Sequence, residues 1–157
     1  MVAVFTSVNV PGGYERGECL DSVESYNPQS NTWSNLPSMT TARGRFDIAQ
    51  IGNRLYACGG SNGQRDLRSA EVYDPAENAW KRLNNMTYER SSPAVTSLGN
   101  RIFVIGGFSG SIPIKTCEVF DTDTNQWSSI ADLPSGSPVL PIINPLNTYS
   151  LSSITYS

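Results

Sequence analysis

A chain of 157 residues, 38% hydrophobic and 16% charged, has room for a domain core and fits neither a membrane-like nor a disordered composition. Its formal charge of −3 argues against a surface that grips nucleic acid by neutralising phosphates. It contains no histidine, which removes the commonest metal ligand and the commonest general base together.

The first thirteen residues are the weakest part of the pattern. Met1–Ser7 has no basic region and no long apolar core, so it does not read as a signal peptide. No apolar run approaches the ~20 residues needed to cross a bilayer. Val8 and Val10 alternate, so Ser7–Val10 could be a strand, but Pro11, which cannot donate to a ladder, falls where the later copies have Cys58 and Ile105. The strand ahead of Gly12-Gly13 is therefore expected to be mostly missing.

From Cys19 the pattern sharpens. Leu20–Tyr26 reads as a strand, Asn27–Asn31 as a turn, and Thr32–Leu36 as a short strand carrying Trp33. Phe46–Ile51 and Arg54–Cys58 follow, joined by Gly52-Asn53, a pair that accepts the positive φ of a tight hairpin. Leu67–Tyr73 and Ala79–Leu83 repeat the earlier hairpin, and Ala94–Leu98, Arg101–Ile105, Lys115–Phe120 and Gln126–Ile130 repeat all four strands. Leu55–Cys58 and Ile102–Ile105 are nearly continuous apolar runs, as in strands buried on both faces. Residues 135–157 carry no charge and no tryptophan; Val139–Ile143 could add one strand to an otherwise atypical tail.

One cassette thus occurs three times. Trp33, Trp80 and Trp127 are 47 residues apart, and so are the pairs Gly12-Gly13, Gly59-Gly60 and Gly106-Gly107. Glu24, Glu71 and Glu118 keep the same period, as do Arg43 and Arg90, with Ser137 at the third arginine position. Such a repeat governs the reading of everything else. Four-stranded units of this length, arranged radially, make the blades of a β-propeller. The tryptophans, with Tyr26, Tyr73 and Phe120 seven residues earlier, are expected to cover blade-to-blade contacts. The recurring arginines and glutamates are expected to serve packing and hydrogen bonding.

Cys19, Cys58 and Cys117 are odd in number and widely spaced, which suits reduced thiols in an intracellular protein better than a disulfide framework. The expected location is the cytoplasm, with the nucleus as the alternative. Asn85-Met86-Thr87 matches a glycosylation sequon and is read as coincidence.

The double glycine, the Glu-x-Tyr-Asp-Pro segment at Glu71–Pro75 and the following tryptophan resemble the Kelch repeat, most closely its BTB-Kelch group. The expectation is an all-β chain of Kelch-type blades, two complete and one partial, in an incomplete ring. The units run 1–38, 39–85 and 86–134, with the tail at 135–157. The resemblance implies a protein–protein interaction module whose partner docks on loops at one end of the propeller. Carried over position by position, those loops hold Tyr14, Glu15 and Arg16; Arg45; Ser61, Asn62, Gln64 and Arg65; Ser92; and Phe108 and Ser109. Arg45 and Arg65 would suit an acidic peptide through bidentate carboxylate contacts.

The resemblance also implies partner recruitment for a cullin-3 ubiquitin ligase, or association with actin. The BTB and BACK segments that would hold cullin-3 are absent from this sequence. No nucleic acid, membrane, cofactor or metal is expected. The rival reading is a Kelch-type enzyme or small-ligand binder, such as a copper radical oxidase, and the lack of histidine counts against it. A propeller closes with about 4–8 blades, so the chain reads as a fragment. Self-association to complete the ring is the alternative.

Overall fold

The computed structural model describes residues 7–134, and every regular element among them is a β-strand. The first sheet is β1 (Val8–Glu15), β2 (Glu18–Asn27) and β3 (Thr32–Leu36), in that order. The second is β4 (Asp47–Ile51), β5 (Arg54–Cys58), β6 (Ala70–Asp74) and β7 (Ala79–Arg82). The third comprises β8 (Ala94–Leu98), β9 (Arg101–Ile105), β12 (Cys117–Asp121) and β13 (Gln126–Ile130). A two-stranded hairpin, β10 (Phe108–Ser109) with β11 (Ile112–Pro113), interrupts the third sheet between β9 and β12. All pairings are antiparallel, and the described sheets are propeller blades that do not close a ring. The tail, with its expected strand at Val139–Ile143, lies outside the described residues.

The sequence sets the hairpins through its turns. Asn31, Asn78 and Asn125 take φ of 53°, 50° and 56° in the β2–β3, β6–β7 and β12–β13 turns. Asparagine is among the few side chains that visit this region readily. Tyr73 adds a hydrogen bond from its hydroxyl to Asn78 Oδ1 at 2.8 Å, and Tyr26 does the same to Asn31.

In the first blade the strand left open at Ser7–Val10 forms, and the expectation that the segment ahead of Gly12 is mostly missing fails. The strand ahead of Gly12 is present: β1 runs through Pro11 and both glycines, paired with β2 from Val8↔Tyr26 to Glu15↔Glu18. Pro11 is accommodated because β1 is the edge of the described sheet and a bulge falls between Pro11 and Gly13. In the later blades the glycine pair instead ends the second strand.

Strand alternation gives each blade two faces, one toward the preceding blade and one toward the following blade. Leu55, Ala57, Tyr73 and Trp80 face the first blade and pack with its Val23 and Leu36 and with Met39 of the connection. Ala49, Tyr56 and Cys58 turn the other way, onto Val95, Ile102, Val104 and Phe120 of the third blade. Each fully buried Leu, Ile or Phe of this kind contributes roughly 1.5–3 kcal/mol. The rings of Tyr73–Trp80 and Phe120–Trp127 meet in tilted pairs with centroids 5.5 and 5.0 Å apart.

The tryptophan expectation holds for two blades and fails for one. Trp80 is buried between blades, and half-buried Trp127 packs against the second blade with its indole N–H on the Asn84 carbonyl at 2.7 Å. Trp33 meets Tyr26 in a tilted pair with centroids 5.1 Å apart but remains 58% exposed.

Between blades the recurring arginine clamps the connection. Arg43 Nη1 donates to the carbonyls of Gly59 and Ser69, while Nη2 reaches Glu71 Oε1 at 2.6 Å. Arg90 repeats this with the carbonyls of Gly106 and Thr116 and with Glu118 at 2.9 Å. Both ion pairs are wholly buried. The same glutamates accept backbone N–H groups of the connections, Thr40 onto Glu71 and Thr87 and Tyr88 onto Glu118.

Candidate functional site

Because antiparallel strands alternate in direction, the tight turns gather at one end of the blades and the longer connections at the other. The long end holds the β1–β2 hairpin tip, the β3–β4 and β7–β8 crossovers, and the β5–β6 and β9–β12 connections. Every residue carried over as a partner-binding position lies at this end. Backbone bridges knit its loops together: Gly44 pairs with Ser61, Ser61 with Asp66, and Ser91 with Phe108. Asp66 Oδ2 accepts the Gly110 N–H at 2.7 Å, which ties the second blade's loop to the third blade's hairpin.

The fold holds these positions in different ways. Tyr14 and Glu15 are not loop residues, as expected from sequence, but the last two residues of β1, paired with Cys19 and Glu18. Strand geometry carries them and Arg16 out to an exposed hairpin tip at the first blade. Phe108 and Ser109 also differ from the expected loop, forming β10 instead. Gly110 at φ 62° permits the return into β11 that the repeat gave no reason to expect.

Arg45 and Ser92 are brought together. They occupy equivalent positions 47 residues apart and take φ of 52° and 48°. Ser92 N–H donates to the Arg45 carbonyl at 2.6 Å. Non-glycine residues in this region cost about 1–2 kcal/mol each, and such strain persists where the surrounding structure fixes it. Both side chains remain exposed.

Within the β5–β6 loop the residues divide by task. Ser61 Oγ donates to the Arg65 carbonyl at 3.1 Å, and Asn62 Oδ1 accepts the N–H groups of Gln64 and Arg65. Ser61 and Asn62 thus shape the loop, and that shaping leaves Gln64 and Arg65 exposed at its tip. Cys19 Sγ donates to the Ser61 carbonyl at 3.1 Å, docking the first blade against this loop.

A cleft of about 590 Å³ opens beside that tip, between the second and third blades. Arg65 and Ser109 line it, together with Arg68, Tyr88, Glu89 and Ile114, which sequence reasoning did not single out. Arg68 had a signal, since it sits in the same non-repeating stretch as Arg65. Tyr88 and Ile114 had none. Among the described residues Arg45, Arg65 and Arg68 make no ion pair, whereas Arg16 sits 3.9 Å from Glu15. The end therefore presents unpaired guanidinium groups beside an exposed tyrosine and a half-buried isoleucine. Such a surface can accept carboxylates in bidentate fashion and seat an apolar side chain. No group of three or more potential metal ligands occurs among the described residues.

Comparison with known proteins agrees with this architecture. Residues 1–141 match the family model of the KLHDC2/KLHL20/DRC7 Kelch-repeats domain. The human influenza virus NS1A-binding protein is 53% identical over 55 residues, which are 35% of this chain and 9% of that protein. Human Kelch-like protein 28 is 36% identical over 62 residues, 40% of this chain and 11% of that protein. The chain thus matches only a small part of the length of these relatives. The solved structure of YjhT superposes with a TM-score of 0.73 at 16% identity, covering 85% of this chain and 51% of that one. At that identity the likeness is one of fold. The 47-residue blades, the paired glycines and the matching family model together place the chain in the Kelch-repeat family.

Proposed function

We propose that this chain is a protein-recruiting module whose partner docks on the long-loop end of the blades. The observation that supports it most is the division among arginines. The periodic arginines at this end, Arg43 and Arg90, are buried clamps, whereas Arg45, Arg65 and Arg68 make no ion pair among the described residues, and the last two line a cleft with Tyr88 and Ile114. A segment bearing aspartate or glutamate is the partner this chemistry fits. The human relative takes its name from binding another protein, which supports protein binding over catalysis. Within a longer protein the module would serve as the recruiting part of a cullin-3 ligase adaptor, or of an actin-associated protein, in the cytoplasm.

The test is affinity capture from cell lysate with the wild type and with Arg45→Ala plus Arg65→Ala. Loss of captured partners from the double variant is expected. Full retention of every partner would sink the assignment of these loops.

A further inference from the structure

Asn62-Gly63 is the sole asparagine–glycine pair in the chain, and the β5–β6 loop surrounds it with the parts of a small reaction site. Glycine has no Cβ, so its amide nitrogen approaches the preceding side chain more freely than that of any other residue. Asn62 Oδ1 accepts the N–H groups of Gln64 at 3.1 Å and Arg65 at 3.0 Å. Two backbone donors converging on a carbonyl oxygen are the arrangement that stabilises an oxyanion when the attached carbon is attacked. The Gly63 N–H donates to the Ser61 hydroxyl at 3.2 Å, and both Gly63 and Gln64 are exposed to water.

Two other turns show what is particular to this one. Asn27 Oδ1 also accepts two backbone N–H groups, from Gln29 at 2.9 Å and Ser30 at 3.3 Å, but Pro28 follows it and has no N–H to give up. Asp121 Oδ1 holds the N–H groups of Asp123 and Thr124 and already belongs to a carboxylate. Among the described residues, Asn62 alone joins a doubly held amide oxygen to a glycine nitrogen.

We infer that Asn62 is a self-modification site, converting to aspartate and isoaspartate without an enzyme. A solvent base removes the Gly63 amide proton, and the nitrogen bonds to Asn62 Cγ while the carbonyl electron pair moves onto Oδ1. The oxyanion, held by the two N–H groups, collapses; the Cγ–Nδ2 bond breaks, and Nδ2 takes a proton from the conjugate acid and leaves as ammonia. Water then opens the succinimide ring at either carbonyl. One opening yields aspartate; the other routes the main chain through the former side-chain carbon and yields isoaspartate. The net change is a water consumed and an ammonia released, with no oxidation or reduction.

The product bears on Arg65. A carboxylate replaces a neutral amide beside a guanidinium that makes no ion pair among the described residues. Within the loop it competes with a partner's carboxylates for that guanidinium. Isoaspartate also adds a carbon to the main chain of a loop that the Asn62 N–H closes onto the Arg65 carbonyl at 3.2 Å. Conversion therefore withdraws Arg65 from recruitment, and the loop ages from a binding to a non-binding state. This consequence rests on the recruiting role proposed above; the chemistry does not.

The purified chain is incubated in heavy-oxygen water at neutral and mildly alkaline pH, and each asparagine is followed by peptide mass spectrometry. Asn62 is expected to convert about tenfold or more faster than any other asparagine of the native chain. The rate should rise with pH, and the product should carry heavy oxygen. Gly63→Ala, whose added Cβ meets nothing nearer than Cys19 Sγ at 3.9 Å, is expected to slow conversion severalfold. An Asn62 that stays intact in the native chain while the free peptide of residues 58–67 converts would overturn the inference, as would conversion that Gly63→Ala leaves unchanged. Converted chain is then separated from unconverted by ion exchange, and both enter the lysate capture alongside Arg45→Ala plus Arg65→Ala. Loss of partners from the converted form and from the double variant supports the consequence for Arg65. Undiminished capture by the converted form, when the double variant captures nothing, overturns that consequence. A double variant that retains every partner overturns the recruiting role and the consequence together, while the mass readings decide the chemistry on their own.

Discussion

Arg43 Nη2 lies 2.6 Å from Glu71 Oε1, both side chains fully buried, and the crossover between two blades passes through that contact. The guanidinium also holds the carbonyls of Gly59 and Ser69, so one side chain joins a loop, a strand end and the neighbouring strand. Arg90 and Glu118 repeat the arrangement one blade on. Removing one partner leaves an uncompensated charge in a dry site. Glu71→Gln is expected to lower stability by about 3–5 kcal/mol. Arg43→Met with Glu71→Leu is expected to cost less than the sum of the two single changes. Urea denaturation of the four proteins measures this, and strict additivity would contradict a coupled pair.

Gly60 and Gly52 separate close packing from backbone strain. Both take positive φ, 94° and 57°. A Cβ on Gly60 would meet the Gly44 carbonyl oxygen at 2.6 Å and Phe46 Cβ at 2.7 Å, whereas one on Gly52 meets nothing within 4 Å. Gly52→Ala is expected to cost about 1–2 kcal/mol from strain alone. Gly60→Ala adds overpacking on top, roughly 1–3 kcal/mol more. Denaturation midpoints of the two variants should keep that order.

The thiols should differ in reactivity. Cys58 is fully buried, and desolvation pushes its pKa up to about 12 from an ordinary value of 9.0. Cys117 is buried at the start of β12, and Cys19 is half-buried under the β5–β6 loop. An aromatic disulfide reagent is expected to titrate Cys19 in the native protein and all three cysteines in denaturant. Because the folded value for Cys58 is raised, its contribution to stability is intact below pH 9 and is lost as pH rises from there toward 12. A native protein with Cys58 modified at neutral pH would contradict the packing of the second blade.

Acid should act at the opposite end. The Asp74 carboxyl is held below its usual range by the Ala76 N–H and then by Arg54, and Asp121 by the N–H groups of Thr124 and Asp123. Depressed folded values mean that their contribution is present above the ordinary value near 3.8 and fades as pH falls through the folded values. Asp74→Asn with Asp121→Asn is expected to flatten the acid limb of a stability–pH profile while keeping the turns. An unchanged acid limb would show that these carboxylates do not carry it.

Most of the fold was legible because repetition exposes what each position does. Gly52-Asn53, Arg54–Cys58 and the three tryptophans announced hairpins and blades without any structure. The start of the first blade was not legible, because Pro11 looks disqualifying unless the strand is known to be an edge with a bulge. The exposure of Trp33 was hidden for a related reason: a repeat shows which residues share a face but not what covers that face. At the loop end, the period correctly set Arg43 and Arg90 apart from Arg45 and Arg65. It could not show that Ser61 and Asn62 serve the loop, or that Tyr88 and Ile114 meet across a cleft, since those contacts depend on loop conformations outside the repeat.

On the function proposed, the periodic arginines build the blades while Arg45 and Arg65 recruit the partner. This division is tested most directly by measuring urea stability and lysate capture on the same two variants, Arg43→Ala and the Arg45→Ala/Arg65→Ala pair. Arg43→Ala is expected to lose about 3–5 kcal/mol of stability. The double variant is expected to unfold within about 0.5 kcal/mol of wild type and to capture none of its partners. A double variant that is equally stable and still captures them all would contradict the account.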